Sequence, residues 1–257
     1  MAHDAEVEKE QSKAEDQFFD NLRKKLPTPL VIGAVCAISI GQFNDTIDMV
    51  QKGSEAIFST FSDAPSNNRL SKIYIRASSD VLNETFGAPI YTKYSDGETA
   101  IKYYKDDNFL LSAVTSNGII DAYLVFPVSG FTPETEEHAG GERYLDVNFS
   151  QSTTPVTAIS NIARSGNYYI ESSDGGRYQL LYTSIGGYSE YLSSLTGEQT
   201  IKLAKFNDKL MMEEDVEASL KQVRSNISPN FYGYSTVDLG ILESAILTRL
   251  EYELISK

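Results

Sequence analysis

Residues 76–126, RASSDVLNETFGAPIYTKYSDGETAIKYYKDDNFLLSAVTSNGIIDAYLVF, carry the pattern that decides the fold. Ser78-Ser79-Asp80 offers N-cap chemistry, and Val81, Leu82 and Phe86 line one helical face. Gly87 followed by Pro89 then stops the helix. Three β-rich runs come next, Glu98–Lys105, Phe109–Thr115 and Ile119–Val128. Ser95-Asp96-Gly97 precedes them, and Asp106-Asp107-Asn108 and Ser116-Asn117-Gly118 separate them, all turn formers. Strands joined by short turns pair antiparallel. The stretch therefore predicts a helix resting on one face of a meander whose other face stays available.

Working outward toward the C-terminus, an acidic loop (Thr132 to Glu142) leads to a second round of the same grammar. Thr153-Thr154-Pro155 resembles a helix start, and Val156, Ile159 and Ile162 keep helical spacing up to Gly166. Tyr168–Glu171 and Arg177–Ser184 read as strands around Ser173-Asp174-Gly175-Gly176. Aligning the two Ser-Asp-Gly turns sets Tyr91 beside Tyr169 and Tyr104 beside Tyr182. That agrees with a tandem repeat, and equally with the general likeness of aromatic hairpins. Asp208–Arg224 and Asp238–Ile255 carry apolar residues at helical intervals and predict two C-terminal helices. Between them Ser225 to Tyr234 forms an aromatic-rich loop, suited to binding a partner or to packing over the sheet. The fold class is α+β, helix plus antiparallel sheet.

Toward the N-terminus, LPTPLVIGAVCAISIGQFN, residues 26–44, passes without a charge. About 20 mainly apolar residues cross a bilayer, so the window suffices for a probable transmembrane anchor. Arg23-Lys24-Lys25 ahead of it and Asp45 and Asp48 behind it predict a cytoplasmic N-terminus. A buried core helix is the alternative reading. A cleaved signal peptide fits poorly with the long charged stretch ahead, and Val35 before Cys36 argues against a lipoprotein anchor. The organisation expected is a cytoplasmic charged helix over 1–25, the anchor over 26–44, a helical stalk and linker over 45–69, an α+β domain over 70–205, and C-terminal helices over 206–257 packing on that domain.

Composition limits the chemistry. The 257 residues include 36 acids, 22 bases, one cysteine, two histidines and no tryptophan. A net charge of −14, of which −12 lies beyond residue 43, argues against nucleic-acid binding and favours a basic partner. One cysteine excludes an intrachain disulfide or a Cys-based zinc site. His138, in an acidic glycine-containing loop, reads as a surface residue, and no nucleophile elbow, phosphate loop or calcium loop occurs. No cofactor and no catalytic residue is expected. Aromatic side chains, with large area and for tyrosine a polar tip, are the candidate partner-binding residues: Tyr91, Tyr103, Tyr104, Tyr169, Tyr182, Phe231, Tyr232 and Tyr234. The competing reading is half-buried sheet filler.

Over roughly residues 72–128 the chain resembles small bacterial envelope domains of the BamE/SmpA type. The likeness lies in Ser79, Val81 and Leu82 at the helix start and in Phe86-Gly87-Ala88-Pro89 before an aromatic meander. Two such units in tandem would resemble β-lactamase-inhibitor proteins. The lipobox usual in the family is missing, and the last 60 residues have no counterpart in it. The resemblance implies a helix-plus-sheet module that binds proteins, with no catalytic residues. The expected function is a single-pass bacterial inner-membrane protein whose periplasmic or extracytoplasmic domain binds or scaffolds an envelope protein. The alternative is a soluble enzyme inhibitor or acidic-cleft hydrolase with the apolar segment buried.

Overall fold

The computed structural model describes residues 63–95, 99–128, 130–135, 145, 147–174 and 180–256. The segments expected as a cytoplasmic helix (1–25), an anchor (26–44) and a stalk (to residue 62), together with His138, lie outside the described residues. The described chain belongs to one compact unit running from Asp63 to Lys257.

The 76–126 stretch gives the expected helix and antiparallel meander, but a further strand precedes the three expected, and the face expected to stay available is covered by the C-terminal segment. Helix α1 spans Ala64–Leu70 and α2 spans Asp80–Phe86, with Gly87 at φ 80° ending α2. Ser79 makes no side-chain cap; Ser78 Oγ instead accepts the Asp80 N–H at 3.3 Å. The meander has four strands, β1 (Tyr91–Tyr94), β2 (Thr99–Lys105), β3 (Phe109–Ser116) and β4 (Ile119–Pro127). The end of the linker expected over 45–69 is helical, because α1 starts at Ala64. Pro65 sits in the first turn of α1, where a missing N–H costs nothing.

Beyond residue 145 the structure departs from expectation. The helix expected from Thr153 is strand β5 (Thr157–Ala163), followed by β6 (Gly166–Ser173) and β7 (Thr183–Ser189). Of the strand expected over Arg177–Ser184, Thr183 and Ser184 belong to β7, and residues 177–179 lie outside the described residues. The single helix over Asp208–Arg224 is two, α3 (Gly197–Met211) and α4 (Glu217–Asn226), broken where Glu213 adopts φ 55°. The aromatic loop contains strand β8 (Phe231–Ser235), and the last helix divides into α5 (Leu239–Glu243) and α6 (Arg249–Ser256).

All eight strands form one antiparallel sheet in the order β1-β2-β3-β4-β8-β7-β6-β5. β8 pairs with β4 on one side and β7 on the other, so among the described strands it is the one that joins the two halves of the sheet. On one face α1 and α2 cover Tyr104, Leu111, Tyr123, Val125, Tyr232 and Tyr234. On that same face, in the other half, α3 and α4 cover Tyr169 and Tyr188. The opposite face, with Tyr103, Leu124, Phe126, Ile170 and Phe231, is capped by α5, α6 and the segment between them. The two aligned Ser-Asp-Gly turns are not equivalent in the sheet. The first joins outermost β1 to β2, whereas the second joins β6 to β7, one step further in.

Candidate binding groove

A groove of about 550 Å³ opens at one end of the sheet. Val156, Thr157 and Ile159 of the β5 region form one wall, Leu180 to Thr183 ahead of β7 another, and Thr236 to Gly240 the third. The third wall is fixed in place. Thr236 donates through both its N–H and its hydroxyl to Asp121 O, at 2.9 Å each. Ser235 Oγ donates to Val237 O at 2.7 Å and accepts the Val237 N–H at 2.9 Å. Thr183 Oγ1 donates to Ser235 O at 3.1 Å, which ties β7 to the same corner.

The lining is apolar where it meets water. Leu180 is 94% exposed, Val156 64% and Leu181 52%. Among the described lining residues the charged ones are Arg76 and Asp238. Arg76 lies at φ 69°, a left-handed conformation costing a side-chain-bearing residue about 1–2 kcal/mol. Its N–H donates to Ile120 O at 2.8 Å, and the Ile120 N–H donates to Ala77 O at 2.9 Å, a pair of bonds that holds the backbone there. The arrangement offers an apolar floor, hydroxyls at its edge and one charge of each sign. It is a concave, largely apolar site with a few polar groups, as ligand sites are, and Asp238 is its single carboxylate among those residues.

A second cleft of about 250 Å³ is lined by Gly166, Glu190, Tyr191, Ser194, Arg249, Tyr252 and Glu253. Both of its carboxylates are engaged. Glu253 Oε1 accepts from Arg249 Nε at 3.1 Å, and Glu190 Oε2 accepts the Asn167 N–H at 3.2 Å. No group of three or more His, Cys, Asp or Glu suited to a metal ion occurs among the described residues. No helix among them is long and apolar enough to cross a membrane.

The aromatic candidates divide sharply. Tyr103, Tyr104, Tyr169, Phe231, Tyr232 and Tyr234 are buried in the core, so as folded they present no surface to a partner. Three of their hydroxyls donate internally. Tyr103 Oη donates to Ser244 O at 3.2 Å, Tyr104 Oη to Asn83 Oδ1 at 3.1 Å and Tyr169 Oη to Glu171 Oε2 at 2.5 Å. Burial pushes the Tyr104 phenol up to about 12. Burial, reinforced by the Glu171 charge, holds that of Tyr169 well above its ordinary value. Tyr91 alone is exposed, on edge strand β1, stacked on Tyr103 with ring centroids 5.5 Å apart. Tyr182 is half-buried, lines the groove and packs edge-on against Tyr234 at 5.4 Å. Sequence reading missed Val156, Leu180 and Leu181. The apolar doublet directly after a polar turn was the available signal.

No family model and no curated protein matches this chain. A solved structure that it resembles is an extracellular protein containing an SCP domain from Bacillus anthracis str. Ames. The identity is 11%, the TM-score 0.33, and the match covers 65% of this chain and 45% of that one.

Proposed function

We propose that the chain is a membrane-anchored, extracytoplasmic protein-recognition module of the bacterial envelope, held by residues 26–44 and carrying a BamE/SmpA-like unit over 72–128. The observation that carries this reading is the groove, where Val156, Leu180 and Leu181 leave apolar area in water beside hydrogen-bonding hydroxyls. Full burial of an exposed leucine such as Leu180 is worth about 1.5–3 kcal/mol, and of the partly covered Val156 and Leu181 a fraction of that. A partner that covers them recovers that energy. From Asp63 onward there are 26 acids against 16 bases, a field that draws basic partners in and repels anionic headgroups.

The test is mild detergent extraction of the full chain from native membranes, comparing wild type with Leu180→Asp/Leu181→Asp. A companion protein present in wild type and lost from the variant, with unchanged melting, supports the reading. An identical set of companions contradicts the groove. Release of the full chain by alkaline carbonate contradicts the anchor.

A further inference from the structure

Asp238 stands just ahead of α5 with the extended backbone of an N-cap, φ −66° and ψ 155°, yet its carboxylate caps nothing. An aspartate in that position ordinarily turns back to accept a backbone N–H of the first helical turn. Here the residue lines the groove instead. Among the described residues its carboxylate takes part in no ion pair and accepts no hydrogen bond. Its backbone is fixed all the same. Asp238 O accepts the N–H groups of Ile241 and Leu242 at 3.1 and 3.3 Å. On one side Val237 is tied to Ser235 Oγ through both its N–H and its carbonyl, and on the other Leu239 is buried. The charge is therefore in place before a ligand arrives, which lowers the ordering cost of binding.

The surroundings decide what the carboxylate can take. Arg76 is the cation among the described lining residues, and it forms no ion pair with Asp238. Asp238 thus stays unneutralised in a groove whose other walls expose Val156, Leu180 and Leu181. A basic side chain matches both features at once. Lysine and arginine lay an apolar stem along apolar surface and keep the charged head at its rim. The acidic excess of the chain adds a field that draws such a group in.

We infer that Asp238 is the specificity-determining residue of the groove, receiving a basic side chain of a partner segment whose apolar neighbours cover Val156, Leu180 and Leu181. This rests on the groove reading and names the chemistry of what the groove takes.

Methyl NMR of the full chain in mild detergent tests it, with three acetylated and amidated tetrapeptides as probes, Leu-Lys-Leu-Leu, Leu-Gln-Leu-Leu and Leu-Glu-Leu-Leu. Shifts of the Leu180 and Leu181 methyls report occupancy. The lysine peptide binds about threefold more tightly than the glutamine peptide, the scale of one exposed ion pair, and the glutamate peptide binds more weakly than either. Asp238→Asn erases that preference and leaves the melting temperature unchanged, because no cap is lost. Arg76→Gln enlarges the preference by removing the nearby like charge. Asp107→Asn, at an exposed aspartate outside the groove lining, changes the net charge equally and leaves the preference as it was. Equal binding of the three peptides, or an equal response to Asp238→Asn and Asp107→Asn, overturns the proposal and leaves the groove reading standing. Unmoved Leu180 and Leu181 methyls with all three peptides overturn both.

Discussion

The ring of Phe231 fills the space that a side chain at Gly187 would need. A Cβ at Gly187 would fall 1.9 Å from Phe231 Cζ, and the two residues are register partners on β8 and β7. On the other flank of β8, a Cβ at Gly233 would fall 2.1 Å from the backbone oxygen of Tyr123 on β4. Both seams of the strand that joins the two halves therefore close over a glycine.

Substitution at either seam destabilises. Gly187→Ala costs about 1–3 kcal/mol, because the ring can swing only by disturbing Phe126 beside it, at a centroid distance of 4.9 Å. Combining it with Phe231→Leu costs less than the sum of the two single changes. Gly233→Ala costs more, since a carbonyl in a paired strand cannot yield. Urea unfolding of the variants checks all three.

A buried ion pair clamps α4 to the sheet. Arg224 Nε donates to Glu171 Oε2 at 3.1 Å, and Arg224 Nη2 to the carbonyls of Phe149, Ser152 and Thr153 at 2.5, 3.1 and 2.9 Å. Arg224→Met strands the Glu171 charge in the core and costs about 3–5 kcal/mol. Adding Glu171→Gln to it recovers part of that loss, as a thermal melt will show.

The buried tyrosines make the fold sensitive to alkali. Burial, foremost, raises Tyr103, Tyr123, Tyr168, Tyr169, Tyr188, Tyr191 and Tyr232 above their ordinary range, and Tyr104 to about 12. The unfolded value is about 10, so the protonated phenols stabilise the fold fully below about pH 10. That stability is lost as pH rises toward the folded values. With no tryptophan in the chain, tyrosinate absorbance reads the titration directly. The buried phenols are expected to ionise together with loss of the circular-dichroism signal.

Glu251 works in the opposite direction. Burial alone would raise its carboxyl, but the Thr248 N–H and hydroxyl and the Lys93 ammonium outweigh that and hold it below the usual range. Its contribution is present above about pH 4.3 and is lost as pH falls through the lowered value. The site is partly exposed, so the loss is under about 1 kcal/mol. Wild type and Glu251→Gln should differ in melting temperature at neutral pH and converge in acid.

The sequence made the first half legible because its turns are local. Asp106 to Asn108 and Asn117-Gly118 mark the hairpins, and β2 to β4 fall within two residues of where alternation puts them. The second half depends on long-range pairing. Phe231–Ser235 has a glycine at its centre and Pro229 just before it, so in isolation it reads as a loop, and β4 and β7 make it a strand. In β5, Ile159 packs toward one face and Ala158 and Ile162 toward the other, which erases the period-two signal and leaves a three-residue spacing that mimics a helix. Aromatic identity likewise tells nothing of depth. Tyr91 and Tyr103 are register partners, yet one is exposed and the other buried.

The most direct test of the account is photocrosslinking from the groove in intact cells. A photoreactive residue replaces Leu180 in one variant and Ile201, an exposed apolar residue of α3, in another. The account predicts a discrete adduct from position 180 that disappears when Leu181→Asp is added, and none from position 201. The same adducts from both positions, or none from position 180, would contradict it.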